Sequence, residues 1–380
     1  VFPKVAKKIG LVNNNWLGAK VELRDWLESK TGGDLEWQKL QGLVYGRYMY
    51  QAEMFPGVAN FLLRCKRMNV KVHIVSHKTE YGHFDINKVP LRKEALKWMK
   101  SKGFFLDEKF NISPDNVFFA STREEKVDKI AKLKLDAFVD DLIEVFREPN
   151  FPVGIKKILF GTDKSKINGY NACCSNWSEI STELLGTPCV DDYLYWTRMI
   201  SNDKITEIIE LEGRGNSRVH RIKADNGKTF ALKTYPNRQL DSRNRIGVEF
   251  NACKYLEQTK RVPRAINLDL ELNMAIYEWI DGMPIKKVEN RHILEALSFT
   301  KYLWNHAQSL KPSILPLASE ACLSRQQLFS QIESRYAKLI ERSELIENLR
   351  IFLESTFKPI WKLTLDWAKN YWPDENVKKE

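Results

Sequence analysis

Residues 137–146 read Ala137-Phe138-Val139-Asp140-Asp141-Leu142-Ile143-Glu144-Val145-Phe146, a short apolar, β-prone run that delivers two carboxylates to its own carboxyl end. In an open parallel sheet that edge is where ligands bind. Adjacent carboxylates repel unless a cation sits between them, which makes Asp140 and Asp141 candidate metal ligands. The same pair also suits an ordinary acidic helix start after a strand, because carboxylates stabilise helix N-termini. The neighbouring segments decide between the two.

Strand and helix patterns alternate on both sides of this run. Upstream, 70–76 reads as a strand, 91–102 as a helix stopped by Gly103, 116–120 as a strand and 122–133 as a helix. Downstream come a helix at 142–147 and a strand at 154–160. Residues 1–50 read as helical, broken near Gly32 and Gly33, with Trp37, Leu40, Leu43, Val44 and Tyr48 spaced as core. Pro56 and Gly57 then open a helix to about residue 68. The expectation is α/β: a doubly wound parallel sheet over 1–165 with a small helical cap at about 10–50. Residues 166–203, with Asn168, Gly169, Gly186 and Pro188, read as a domain tail and linker.

From 204 to 285 the texture is antiparallel, with strands at 205–211, 218–223 and 229–234 around an Asp225-Asn226-Gly227 turn. A helix at 240–257 and strands at 266–270 and 274–279 follow, giving an α+β lobe. Residues 286–380 read as helical, with Leu328, Ile332, Tyr336 and Leu339 as a core stripe.

A length of 380 residues suggests two domains, and 43 % hydrophobic with 29 % charged residues describes an ordinary globular chain. No run of 18 apolar residues occurs, so no membrane span is expected. The six cysteines are scattered without CxxC pairs, which points to free thiols in a reducing cytoplasm. The formal charge of +11 is spread among acidic residues, favouring anionic small ligands or a solvated surface over nucleic acid. The start at Val1, with no basic-then-apolar segment, reads as that of a fragment.

Three successive sheet ends carry polar groups: Ser76, then Lys126 in the first turn of a helix, then Asp140-Asp141. A hydroxyl, a fixed ammonium and a carboxylate pair are what phosphoryl transfer needs around it. In this order they resemble the second, third and fourth motifs of the haloacid dehalogenase-like phosphatases. The resemblance covers roughly 1–165 and implies that Ser76 bonds the phosphoryl group, Lys126 neutralises it, and Asp140 and Asp141 hold Mg²⁺. The family's first motif, Asp-x-Asp-x-Thr, does not precede Ser76. Its nucleophile is either upstream of Val1 or lost, and truncation is the favoured reading. His73, His77 and His83 do not share a spacing that converges on zinc, although His77 and Lys78 lie beside Ser76, where they could touch a substrate.

A second set lies in the antiparallel lobe. Gly213, Gly215, Asn216 and Ser217 form a glycine-rich loop between strands, where backbone amides approach phosphates. Lys233 lies on the third strand and Glu249 on the next helix, a pairing that aims a lysine at nucleotide phosphates. Arg245, four residues before Glu249, is a competing partner. With Glu278-Trp279-Ile280 as a hinge strand whose backbone receives adenine, the lobe resembles the aminoglycoside phosphotransferase and choline kinase-like family. That resemblance runs from about Lys204 onward and implies ATP and Mg²⁺. The family's His-x-Asp catalytic loop is not matched, since neither Asp366 nor Asp374 follows a His by two positions. The reading expects the C-lobe to continue beyond Glu380.

The expected function is therefore bifunctional phosphoryl chemistry, a phosphatase joined to an ATP-dependent phosphotransferase acting on a phosphorylated or hydroxylated metabolite. A catalytically incomplete binding protein and a nucleic-acid end-processing enzyme are the alternatives.

Overall fold

The computed structural model describes residues 1–85, 87–162, 169–211, 217–236, 243–283, 285–307, 322, 324–343 and 346–372. The chain divides into two units, Val1–Lys287 and Val288–Glu380.

The aromatic spacing of the first fifty residues produces helices α1 (Phe2–Lys8), α2 (Lys20–Glu28) and α3 (Gly33–Tyr45). Their apolar faces meet around Phe2, Leu23, Trp37 and Leu40, with the Phe2 and Trp37 rings stacked 5.1 Å apart. Gly32, at φ 76°, supplies the left-handed residue from which α3 starts.

The alternating segment follows as α4 (Val58–Arg67), β1 (Ile74–His77), α5 (Leu91–Ser101), β2 (Val117–Ala120) and α6 (Arg123–Leu133). It continues with β3 (Ala137–Asp140), α7 (Ile143–Phe146), β4 (Lys156–Phe160) and β5 (Ala172–Cys174). All pairings here are parallel. The expected strand at 70–76 is shorter and later, because Ile74 pairs with Val117, where β2 itself begins. A single doubly wound sheet is not what forms. Among the described residues β1 pairs with β2 alone, and β3-β4-β5 make a separate sheet. Sheet continuity requires backbone hydrogen bonds between neighbours, and β1 and β3 share none; side chains join the halves instead. Val75 of β1, Phe138 of β3, Leu159 of β4 and Val127 and Ile130 of α6 belong to one core cluster.

The segment read as tail and linker carries β5 and two further helices, α8 (Trp177–Leu185) and α9 (Val190–Ile200), while 163–168, including Asn168, lie outside the described residues. Arg64 of α4 ties these helices together. Its Nη1 donates to Ser181 Oγ at 2.8 Å and Gly186 O at 2.9 Å, and its Nη2 to Leu185 O at 3.1 Å. The guanidinium thus satisfies carbonyls at the end of α8. Its Nε lies 3.1 Å from Asp192 Oδ2, and Arg67 Nε donates to Asp192 Oδ1 at 2.9 Å.

The lobe beyond contains β6 (Ile205–Glu210), β7 (Arg218–Ala224), β8 (Thr229–Thr234), α10 (Arg245–Leu256), β9 (Ala265–Asp269) and β10 (Met274–Glu278). Its strands form one antiparallel sheet in the order β6-β7-β8-β10-β9. Gly227, at φ 81°, takes the left-handed position in the β7–β8 turn. Strand alternation sends Ile222, Leu232, Met274 and Ile276 to one face, where they pack with Phe61 and Trp196. Tyr235, Ala275 and Tyr277 lie on the other face with Ile246 and Phe250 of α10. Leu232 is fully buried, so Leu232→Ala is expected to cost about 2–5 kcal/mol, read as a lowered urea midpoint at constant slope. The expected helix start at Leu240 lies outside the described residues, as do 237–242.

The second unit contains α11 (Asn290–Ala307), α12 (Arg325–Ser343), α13 (Glu347–Phe352), a π turn at Leu353–Phe357 and α14 (Lys358–Tyr371). The expected α12 stripe is displaced by one residue at its end: Leu328, Ile332 and Tyr336 are half-buried, but Leu339 is exposed and Ile340 takes its place. Four-residue steps keep one helix face, and Leu339 breaks that step. Tyr336 stacks on Phe357 with centroids 5.2 Å apart. No described helix is long and apolar enough to cross a membrane.

Candidate functional site

Lys233 is the fifth residue of β8, on the face opposite Leu232, and α10 packs over that face. Asn244 caps α10, its Oδ1 accepting from Gly247 N at 3.2 Å, and this fixes where the helix begins. Glu249 then stands over Lys233, whose Nζ lies 2.7 Å from both carboxylate oxygens. The lysine is about one-quarter exposed and the glutamate 40 %, so solvent screens the pair and its value is positional rather than stabilising.

Behind the pair lies a feature sequence reasoning missed. Lys233 Nζ sits 5.2 Å from the Tyr235 ring centroid, and the Tyr235 and Tyr277 hydroxyls are 2.7 Å apart in the interior. Burial, followed by their mutual hydrogen bond and the nearby Glu249, holds Tyr235 well above the ordinary phenol range. Burial likewise raises Tyr277. Both rings are neutral at physiological pH and brace the floor under the ion pair. The signal was present in the alternation Lys233, Tyr235 on one strand and Ala275, Tyr277 on its neighbour. Tyr277→Phe is expected to cost about 1–3 kcal/mol in urea unfolding, because it leaves a buried hydroxyl without its partner.

The remaining expected nucleotide contacts are placed less completely. Gly213, Gly215 and Asn216 lie outside the described residues, and Ser217 immediately precedes β7. At the end of β10, the Glu278 amide donates to Arg264 O at 2.8 Å, and its Oε2 accepts from Arg264 N at 3.1 Å. Trp279 Nε1 donates to Asp281 Oδ1 at 2.8 Å, with Arg221 5.2 Å from its ring. Ile280 is exposed. No hydrogen bond of the Trp279 or Ile280 amide is present among the described residues.

The α/β part brings Lys126 and Asp140 together. Thr122 Oγ1 caps α6 by accepting from Glu125 N at 3.1 Å, and Lys126 follows one turn later, buried. Its Nζ forms an ion pair with Asp140 Oδ2. The other oxygen, Oδ1, accepts from Leu142 N at 3.0 Å. Asp141 is exposed beside it. Ser76 is half-buried near the end of β1 and makes no hydrogen bond to Lys126 or Asp140 among the described residues. The histidines disperse: His73 stacks on Phe118, His77 Nε2 donates to Ser121 O at 3.0 Å, and His83 lies beside α2 and α3.

Among the described residues no three His, Cys, Asp or Glu side chains form a group that could hold a metal. Magnesium asks for less, one or two carboxylates with water and phosphate completing the octahedron; Asp141 supplies an exposed carboxylate of that kind, while both Asp140 oxygens are engaged by Lys126 and the Leu142 amide. Asp366, which does not follow a His by two positions, is exposed on α14, 3.8 Å from Lys369. A groove of about 1130 Å³ lies elsewhere in the first unit and is lined by Asn60, Tyr193, Trp196, Arg218 and Asn273.

No protein-family model matches the chain. No curated protein matches it either. Among solved structures, it is similar to a protein described as a fructosamine-3-kinase from Thermobifida fusca, at 16 % identity and a TM-score of 0.21, over 26 % of this chain and 34 % of that one. It is also similar to an ethanolamine kinase from Plasmodium vivax, at 12 % identity and a TM-score of 0.32, over 56 % of this chain and 60 % of that one. The chain thus spans less than two thirds of the length of either protein.

Proposed function

We propose that the antiparallel lobe, about 204–285, binds MgATP for transfer of its terminal phosphoryl group to a hydroxyl on a small metabolite. Residues 286–380 would belong to the acceptor-binding part. The observation that supports this reading is the Lys233–Glu249 pair, a strand lysine held by a helix glutamate. In the mechanism the glutamate fixes the ammonium in place, and the ammonium offsets charge on the nucleotide phosphates. Gly213, Gly215, Asn216 and Ser217 would supply amides to the phosphates, and the chain around Glu278, Trp279 and Ile280 would meet the adenine. The bound nucleotide supplies the phosphoryl group. The full-length protein should release ADP with at least one member of a panel of sugars and amino alcohols. No acceptor-dependent ADP release, together with no ATP binding, would reject the reading.

A second site is favoured by the buried Lys126–Asp140 pair at the carboxyl end of β3. In this reading residues 1–165 form a haloacid dehalogenase-like phosphoester site. Ser76 donates a hydrogen bond to the phosphoryl group, Lys126 offsets its charge, and Asp140 with Asp141 would hold Mg²⁺, which polarises the phosphoryl oxygens when bound.

A further inference from the structure

Lys78 leaves β1 at the edge where the second site lies. Its amide donates to Ala120 O at 2.9 Å, which holds this residue at the carboxyl end of the β1–β2 pair. Its ammonium lies 4.4 Å from the Tyr45 ring centroid, and among the described residues no carboxylate stands within ion-pair distance. Burial pushes this ammonium down to about 8. A desolvated cation is costly unless an anion accompanies it, and an aromatic face offsets only part of that cost.

Arg92 of α5 is fixed at the same place. Its Nε donates to Lys78 O at 3.0 Å and its Nη2 to Ser121 Oγ at 2.8 Å, which orients the guanidinium plane. Among the described residues it too has no carboxylate partner. Glu125 of α6 is engaged by the Ser121 amide at 2.7 Å. Lys126 and Asp140 compensate one another, whereas Lys78 and Arg92 have no carboxylate partner among the described residues.

We propose that Lys78 and Arg92 form a subsite for a second anionic group, a carboxylate or phosphate, on the ester taken by the Ser76, Lys126 and Asp140 site. The substrate class is then a doubly anionic metabolite. This rests on reading that site as one for phosphoesters.

Two non-hydrolysable probes separate the claims: methylphosphonate, with one anionic group, and phosphonoacetate, which adds a carboxylate. Isothermal titration of the full-length protein should show phosphonoacetate binding about tenfold more tightly, the worth of one charge-assisted contact. Lys78→Met and Arg92→Gln should each reduce that ratio to about threefold or less, with far-UV circular dichroism unchanged. Equal affinities in the wild type, or a ratio preserved in both variants, overturns the subsite. If neither probe binds the wild type, or Lys126→Ala leaves methylphosphonate binding as it was, the phosphoester reading falls and takes the subsite with it.

Discussion

Asp192→Asn is expected to destabilise the protein by about 3–5 kcal/mol at neutral pH, the cost of removing one partner from a buried ion pair. The Asp192 side chain is fully buried, and its oxygens are shared by Arg67 Nε at 2.9 Å, the Cys189 amide at 2.9 Å and Arg64 Nε at 3.1 Å. Asn retains an oxygen for the Cys189 amide, so the α9 start survives while the charge is lost. Arg64, itself buried beneath α8, is then left without its anion. Burial alone would raise the Asp192 carboxyl, but the Cys189 amide and the two guanidiniums outweigh it and hold it below the usual range. A depressed carboxyl contributes stability that is present above the unfolded value of about 3.9 and is lost as pH falls through the folded value. The difference between wild type and variant in urea unfolding should therefore be full at pH 7 and narrow below about pH 4. A difference independent of pH would contradict the assignment to charge. Arg64→Met should also destabilise, since it takes one of two guanidiniums from the same carboxylate and orphans the carbonyls ending α8.

Asp140→Asn should lower stability by about 3 kcal/mol or more, because Lys126 is left buried without a counter-charge, and, if residues 1–165 form the proposed phosphoester site, should also abolish Mg²⁺-dependent phosphate-ester hydrolysis. The two losses are separable. Hydrolysis of p-nitrophenyl phosphate reports the site, and urea unfolding reports the pair. Lys126→Met removes the ammonium instead and leaves Asp140 buried and charged. It should give the same direction in both measurements. Undiminished hydrolysis in a folded Asp140→Asn protein would remove Asp140 from the chemistry.

The local parts of this architecture were legible because they are written in short-range pattern. Asn226-Gly227 specified its turn, and Thr122 with Glu125 three residues on specified the start of α6. Lys233 and Glu249 were readable as a pair because each sits at a definite position on a predicted element, although Arg245 offered Glu249 an equally local partner. The parallel sheet was less legible, since which strand edges bond is decided by contacts far apart in the sequence. Alternation alone joined β1 to β3, and the backbone does not. Arg64 was invisible for the same reason. Its partners Ser181, Gly186 and Asp192 lie more than a hundred residues away, and nothing near it in the chain distinguishes it from a surface arginine on α4. Lys78 was readable only as a residue beside Ser76 that could touch a substrate. Only its burial against Tyr45 without a carboxylate separates it from the many exposed lysines.

Equilibrium titration of the full-length protein with ATP in the presence of Mg²⁺, comparing wild type with Lys233→Ala, bears most directly on the nucleotide-binding reading. Loss of one charge-assisted contact to phosphate should raise the dissociation constant about 10- to 100-fold, with adenosine affinity little changed because the ammonium addresses phosphate and not base. An ATP affinity unaltered by Lys233→Ala in a folded protein would contradict the account.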